Sequence, residues 1–174
     1  MILMRIIGAI IVLGASTLAG VYYGNLETYR MRDLLEIKKA LSILRSQIEY
    51  ARTPLPEAMQ AISARVRESV GKMFGMCAEL LVHERNEKVA HLWEAAVEQH
   101  KDELFLTQED VEQLKDFGTM LGNMDSEAQM MNISMLIGYI DERVAHLHES
   151  RDKNRKLYRS FGILGGALIV IIFI

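Results

Sequence analysis

The stretch that decides the fold is residues 125–174, which read DSEAQMMNISMLIGYIDERVAHLHESRDKNRKLYRSFGILGGALIVIIFI. From Met130 to Leu147 the apolar residues recur at alternating steps of three and four, which places them on one stripe of a helix. Residues 151–160 then hold five Lys and Arg against one Asp, and residues 161–174 carry no charge. A helix that is apolar on one side, then basic, then apolar all round is typical of a chain that passes from a packed domain through a membrane surface into lipid.

The charge of the chain is divided between this end and the middle. Residues 25–150 are acidic, with 14 Lys and Arg against 22 Asp and Glu. A nucleic-acid-binding protein needs a broad basic face, so this division argues against nucleic acid as a partner. The basic residues before the last apolar segment, here called the basic collar, fit the anionic headgroups of membrane lipid. They are Arg151, Lys153, Arg155, Lys156 and Arg159.

A second uncharged segment, residues 6–23, is about long enough to cross a bilayer. We interpret it as a retained membrane helix rather than a cleaved signal peptide, because the best small-residue cleavage site lies deep inside it. Glycines spaced by four residues would let two membrane helices approach closely. They are Gly20 and Gly24 in the first segment and Gly162 and Gly166 in the second. The ordinary abundance of glycine in membrane spans explains the same pattern.

The chain between these segments predicts helices, since its only prolines are Pro54 and Pro56 and no strand pattern appears. The predicted helices are 26–51, 53–70, 72–83, 89–100, one that begins at 107 and one that begins at 126. We therefore predict an all-α fold, a six-helix antiparallel bundle flanked by two membrane-spanning helices at the chain ends. The predicted domains are an N-terminal transmembrane helix at 1–24, a cytoplasmic bundle at 25–160 and a C-terminal transmembrane segment at 161–174.

Two apolar stripes, 34–51 and 130–147, have the same spacing and adjoin the two apolar segments. We predict that they pack against each other as antiparallel helices of one chain. A homomeric coiled coil is the alternative, so a homo-oligomer stays among the predicted partners.

Capping residues are predicted at three helix starts. Thr53 is placed to cap a helix whose first residue is Pro54, and Glu57 favours the positive end of its dipole. Thr107 and Asp110 resemble a capping box with Asp in place of Glu.

The last predicted helix start and the glycines before it form a third group. Asp125 can accept a hydrogen bond from a first-turn amide. Gly118 and Gly122, four residues apart, give the fifth helix a face without side chains that would admit a close neighbour. The methionines around this junction are interpreted as core fillers, with an adaptable partner-binding surface as the alternative. They are Met120, Met124, Met130, Met131 and Met135.

No catalytic, cofactor-binding or metal-binding residue is predicted. His146 and His148 are two residues apart and point in different directions on a helix, and no histidine has the spacing of a zinc or di-iron site. Cys77 lies on the apolar face of its helix, which favours a core role. The chain is therefore predicted not to be an enzyme and to need no cofactor.

Three stretches together resemble one protein family. They are YARTPLPEA at 50–58, LTQEDVEQLKDFGTMLGNMDSEAQMMNI at 106–133 and SFGILGGALIVIIF at 160–173. The chain resembles the stage III sporulation protein AB family of endospore-forming Firmicutes over essentially its whole length. The most specific part is Leu121-Gly122-x-x-Asp125-x-x-x-Gln129, and the predicted capping and close-packing residues match the family motifs.

The resemblance implies a membrane component of the complex that joins mother cell and forespore across the septal membranes. It also implies a soluble domain similar to that of the platform protein of type II secretion and type IV pilus machines, with a secretion-type ATPase among its partners. We therefore expect a non-enzymatic platform of a secretion-like channel complex required for endospore formation. A membrane-anchored sensor or regulator that binds a soluble signalling protein is the alternative.

Positive charge predicts the topology. Nine Lys and Arg adjoin the apolar segments on the side of the central domain, against Arg5 on the other side. Positive residues near membrane ends stay in the cytoplasm, which places the domain there and both termini across the membrane. The resemblance implies that this cytoplasm is that of the mother cell. The second segment, about 21 Å as a helix, is short for a span and would need local thinning of the bilayer or pairing with the first.

Overall fold

The computed structural model describes residues 2–84, 86–121 and 127–149, and of residues 2–7, 9, 10, 12 and 13 it describes the backbone alone. The chain divides into two compact units, one formed by residues 30–144 and the other by residues 1–29 and 145–174. Every regular element of the described residues is helical, which confirms the predicted all-α class with six helices.

The helices follow the chain in the order predicted. They are α1 (Ile2–Ser46) with a π-helical turn (Gln47–Ala51), α2 (Leu55–Ser63), α3 (Glu68–His83), α4 (Val89–His100) with a 3₁₀ turn (Lys101–Glu103), α5 (Gln108–Thr119) and α6 (127–149). The predicted bounds of α4 are confirmed, as are the end of α3 and the capping box that begins α5.

Helix α1 joins two stretches that the sequence predicts as separate elements, 6–23 and 26–51. Gly24 does not end the helix, because one glycine costs a helix interior only about 1 kcal/mol. Both Gly20 and Gly24 are buried. Within the described ranges, no helix combines the length and the apolar character that a membrane span requires. The second predicted span, 161–174, lies outside the described residues.

The buried stripe of α1 agrees with the prediction as far as Leu44 and differs from it beyond that residue. The buried positions of the predicted stripe are Leu34, Ile37, Leu41 and Leu44. Beyond them Ile48 is half-buried and Ala51 is exposed. The π-helical turn changes the repeat of the helix, which rotates these two residues off the core, and Arg52 ends it in the left-handed region with φ of 47°.

The predicted boundary between the second and third helices is wrong. The sequence predicts a helix that continues to residue 70 and stops at Gly71, but α2 ends at Ser63 and α3 begins at Glu68. A Cβ on Gly71 would lie 2.7 Å from the carbonyl oxygen of Ser63. This glycine therefore serves the close approach of α3 to the end of α2 and does not end a helix.

The inward face of α6 is rotated slightly from the predicted stripe. Ile133, Leu136 and Ile140 are buried, whereas the predicted Ile137 is half-buried. The cause is a buried polar group next to them: the side-chain Nδ2 of Asn132 donates to the carbonyl of Phe117 at 3.1 Å. A buried amide needs such a partner, so its position fixes which face of α6 turns inward.

The core of the unit 30–144 centres on the fully buried Trp93. The rings of Phe74 and Phe117 meet it edge-on with centroids 5.1 and 5.6 Å away, a favourable arrangement for aromatic rings. Its Nε1 donates to the carbonyl of Leu114. A Cβ on Gly118 would lie 2.2 Å from the indole Cδ1, so this glycine leaves the space that the indole fills.

Candidate functional site

The most convergent polar cluster of the described residues surrounds Asp110, which is 1% exposed. Arg30 of α1 donates from Nε to Oδ2 at 2.7 Å and from Nη2 to Oδ1 at 2.9 Å. Tyr139 of α6 donates its hydroxyl to Oδ1 at 2.9 Å. Thr107 donates its backbone N–H and its hydroxyl to Oδ2, both at 2.9 Å. We call these four residues the Asp110 cluster, and it links α1, the start of α5 and α6.

The capping box of α5 places the carboxylate at the centre of this cluster. Thr107 Oγ1 accepts from the backbone N–H of Asp110 at 3.3 Å, while the Asp110 side chain accepts from Thr107 in return. A capping box normally uses a Glu at this position. The shorter Asp holds its carboxylate close to the helix start, where it can also meet Arg30 and Tyr139.

The charge state of the cluster follows from its contacts. Burial of the Asp110 carboxyl opposes ionisation, but the hydrogen bonds from Arg30, Thr107 and Tyr139 outweigh it and lower the pKa. Burial, and next the hydrogen bond to Asp110, raise the pKa of Tyr139 to about 12, so its phenol stays a donor at neutral pH. The hydrogen bond to Asp110 raises the pKa of Arg30 against its partial burial.

A saturated carboxylate of this kind holds helices together and does not act on a substrate. Both oxygens of Asp110 already accept more than one hydrogen bond, and general acid–base work needs an oxygen that can reach the reacting group. Arg143 closes the outer side, with its guanidinium 5.0 Å from the centre of the Tyr139 ring and in an ion pair with Glu109. The cluster is therefore a structural connection between three helices.

Two carboxylates of α1, those of Asp33 and Glu36, accept hydrogen bonds from the backbone near the starts of α5 and α3. Asp33, 6% exposed, accepts from the backbone N–H of Phe105 at 2.9 Å and pairs with Arg67 Nη1 at 3.4 Å. Glu36 accepts from the backbone N–H of Arg67 at 3.1 Å, at the residue that precedes α3. Carboxylates of α1 therefore satisfy backbone donors near the starts of α3 and α5, a task that local caps usually perform.

The predicted cap of α2 is wrong. Helix α2 begins at Leu55 with Pro54 at the N-cap and Glu57 in the first turn, so Pro54 is not the first helical residue. The hydroxyl of Thr53 donates to Gln47 Oε1 at 2.6 Å and does not cap the helix. A residue before proline is confined to extended backbone, which separates Thr53 from the helix start and leaves it close to the π-helical turn.

Several predicted site residues lie outside the described residues. They are Gly122, Asp125, Gly162, Gly166 and the basic collar of Arg151, Lys153, Arg155, Lys156 and Arg159.

Two findings bear on metal and thiol chemistry. No group of three or more His, Cys, Asp and Glu in the described part of the chain could hold a metal ion. Cys77 is fully buried, and burial raises the pKa of its thiol to about 12. A protonated buried thiol is a poor nucleophile, so Cys77 acts as a small core residue.

Three of the five methionines around the junction of α5 and α6 are not core residues. Met131 and Met135 are 64% and 65% exposed, and Met120 at the end of α5 is 39% exposed. This overturns the interpretation of these three as core fillers, because the inward face of α6 is set by Asn132 and Ile133. Met130 is half-buried, and Met124 lies outside the described residues. Met131 and Met135 are four residues apart and therefore adjacent on the helix surface. We call this exposed pair the methionine face.

No sequence pattern singled out Arg30, Asp33 or Tyr139 as a site residue. The sequence did point to Asp110, because the predicted capping box has an Asp where a Glu is usual. The other partners are separated from it by 80 and 29 residues, and no local pattern marks such pairs.

Comparison with known proteins gives one consistent result. The model of the family described as stage III sporulation protein AB matches residues 5–174. The chain is 27% identical over 170 residues to stage III sporulation protein AB of Bacillus subtilis strain 168, which covers 98% of this chain and 99% of that protein. It is also similar to a solved structure of stage III sporulation protein AB, with a TM-score of 0.66, 26% identity, and coverage of 72% of this chain and 98% of the solved one. The protein therefore belongs to the stage III sporulation protein AB family.

Proposed function

We propose that this protein is a non-enzymatic membrane platform in the channel or secretion-like complex between mother cell and forespore that endospore formation requires. The observation that carries the proposal is the family match over residues 5–174, which includes both apolar ends and the helical region between them. The relatives are named as sporulation proteins and not as enzymes. A platform needs packed helices and surfaces for partners, and the Asp110 cluster supplies a reason for firm packing.

Membrane attachment through both chain ends is part of the proposal. In the uncharged segment 6–23, Ile11 is 64% and Leu18 is 72% exposed, and apolar surface of this kind needs lipid or a protein partner to cover it. Tyr22 and Tyr23 near its end are also exposed, and tyrosines are enriched where spans meet headgroups. The basic collar would contact anionic lipid at the other end.

The proposed partners are other proteins of the sporulation complex, among them a secretion-type ATPase. Full-length tagged protein, purified in mild detergent from sporulating cells, is expected to carry this ATPase in a constant ratio, because a platform holds its motor through a lasting interface. Mass spectrometry of the purified complex measures the ratio. The matched control is the same tag on an unrelated membrane protein. Purification of the chain without any ATPase would contradict the proposal that a secretion-type ATPase is its partner.

The topology is a separate expectation. In non-sporulating cells made to express the protein, where the far side of the membrane faces the medium, a cysteine added after Ile174 should react with a membrane-impermeant maleimide applied to intact protoplasts, whereas Ser134→Cys should react only after permeabilisation. Ser134 is exposed on α6, so its replacement tests sidedness and not burial. The native Cys77 gives no background, because it is buried and its thiol stays protonated. The reverse labelling pattern would reject the topology.

A second candidate function is a membrane-anchored regulator that binds a soluble signalling protein. The observation that favours it is the methionine face, since Met-rich surfaces adapt to varied partners. A photo-crosslinking residue in place of Met135 would separate the two functions in sporulating cells. Crosslinks to membrane-complex proteins support the platform, and crosslinks to a soluble signalling protein support the regulator.

A further inference from the structure

A groove lies where α2, α3 and α4 meet in the unit 30–144. It consists of two adjoining hollows of about 350 and 300 Å³ that share Pro56 and Val82. Its floor is apolar, with Ala78, Leu81, Val89 and Leu92 among its lining residues. Val82 stands 48% exposed between the hollows. We call this surface the α2–α4 groove.

The rim of the groove is acidic. Glu57 and Glu79 line one hollow, and Glu84 and Glu87 line the other, while no Lys or Arg among the described residues lines either of them. Among the described residues, Glu57, Glu79 and Glu84 take part in no ion pair. Within the same described residues, Glu87 pairs only with His91, at 3.4 Å.

Some other glutamates of this unit are paired with cations within the chain, whereas Glu112, Glu127 and Glu142, like three of those at the rim, form no ion pair among the described residues. Glu98 pairs with Lys101 and Lys115, and Glu103 pairs with Lys72. Three of the four glutamates at the rim therefore have no cation partner among the described residues, and they lie around an apolar floor.

This combination selects one class of occupant. Nucleic acid and anionic lipid would be repelled by the rim. A metal ion needs converging ligands, and the described residues form no such group. A protein segment with apolar side chains flanked by Lys or Arg satisfies both parts of the surface, since its apolar residues can enter the hollows while its cations meet the glutamates.

We propose that the α2–α4 groove is the docking site for a basic amphipathic helix of a partner protein. The inference goes beyond the platform function and does not depend on it, because the described residues that line the groove belong to α2, α3, α4 and, between α3 and α4, to Glu84 and Glu87 alone. It also involves neither the methionine face nor the Asp110 cluster.

The test uses the full chain in phosphatidylcholine nanodiscs and a fluorescent synthetic peptide of about 14 residues in which Leu and Lys repeat with helical spacing. The peptide is expected to bind, to bind more weakly as salt is raised, and to lose binding when Glu replaces its Lys. Empty nanodiscs give the background from peptide that partitions into lipid. Absence of binding above that background would overturn the proposal.

Matched variants decide whether the groove is the site. Glu57→Gln, Glu79→Gln and Glu84→Gln together are expected to weaken binding about tenfold, as three lost exposed charge pairs imply. Glu112→Gln, Glu127→Gln and Glu142→Gln change the net charge equally at exposed positions outside the groove and should weaken it less than about twofold. Equal weakening by both triple variants would mean general attraction to an acidic protein and would overturn the proposal.

Two further measurements test whether the apolar floor contributes to binding and which protein supplies the bound segment. Val82→Asn should weaken binding several-fold without a change in melting temperature, because Val82 is largely exposed; unchanged binding would contradict apolar docking. A peptide with this chain's residues 150–160 supplies a basic segment from a second copy. Tighter binding of that peptide than of the designed one would assign the groove to a second copy and overturn the choice of a partner protein.

Discussion

Asp110→Asn is expected to lower the free energy of unfolding by about 3 kcal/mol, because it breaks a buried ion pair while Arg30 keeps its charge. The new amide also places a donor among the donors of Arg30, Thr107 and Tyr139. Equilibrium denaturation of the full chain in mild detergent measures the change. The same substitution at an exposed pair gives the control: Asp141 is 51% exposed beside Lys38, and Asp141→Asn should cost less than about 1 kcal/mol. Equal losses at the two positions would contradict the role of the Asp110 cluster.

The same carboxylate predicts a pH dependence. Its pKa in the folded protein lies below the ordinary aspartate value of 3.8, so its stabilising contribution is complete above that value. The contribution is lost as pH falls below 3.8 through the folded pKa, where the carboxyl takes up a proton and releases Arg30. The difference in stability between wild type and Asp110→Asn should therefore be constant near neutral pH and shrink in acid. A difference that grows in acid would show that the carboxyl is protonated in the folded protein.

Gly118→Ala is expected to lower the free energy of unfolding by about 2–3 kcal/mol through overpacking. The added Cβ would lie 2.2 Å from Cδ1 of Trp93, and the ring cannot move aside easily, since Phe74 and Phe117 contact it and its Nε1 is bonded to Leu114. Chemical denaturation followed by Trp93 fluorescence reports both stability and the environment of the indole.

The control for this substitution is Gly138→Ala in α6. Nothing lies within 4 Å of a Cβ at Gly138, so alanine should raise the free energy of unfolding by about 1 kcal/mol through helix propensity alone. Opposite signs at the two glycines are the expected result. A Gly118→Ala protein as stable as wild type would show that the Trp93 contact is not tight.

The sequence predicted the helices because their signals are local. The capping box at Thr107 and the stripe from Leu34 to Leu44 depend on residues within a few turns, and both are as predicted. Gly71 was misinterpreted because a glycine looks the same in sequence whether it ends a helix or lets a neighbour approach. Only the distance to Ser63 separates the two roles.

The candidate surfaces were harder to predict than the helices. The methionine face depends on a rotation of α6 that the contact between Asn132 and Phe117 sets, and no spacing rule contains that contact. The α2–α4 groove arises from three helices, so its apolar floor and its acidic rim come from separate parts of the chain. Glu57 was noticed only for its place in the first turn of α2.

The contacts that residues 30–46 of α1 make within the unit 30–144 set an order of assembly during synthesis. The ion pair of Arg30 cannot form until Asp110 has been made, 80 residues later, and that of Lys38 cannot form until Asp141 has been made, 103 residues later. The contacts among α2, α3, α4 and α5 join neighbours in the chain and can form as soon as each pair leaves the ribosome. The helix made first can therefore contact Arg67 early, through Asp33 and Glu36, but it gains Asp110 and Asp141 only when α5 and α6 have been made.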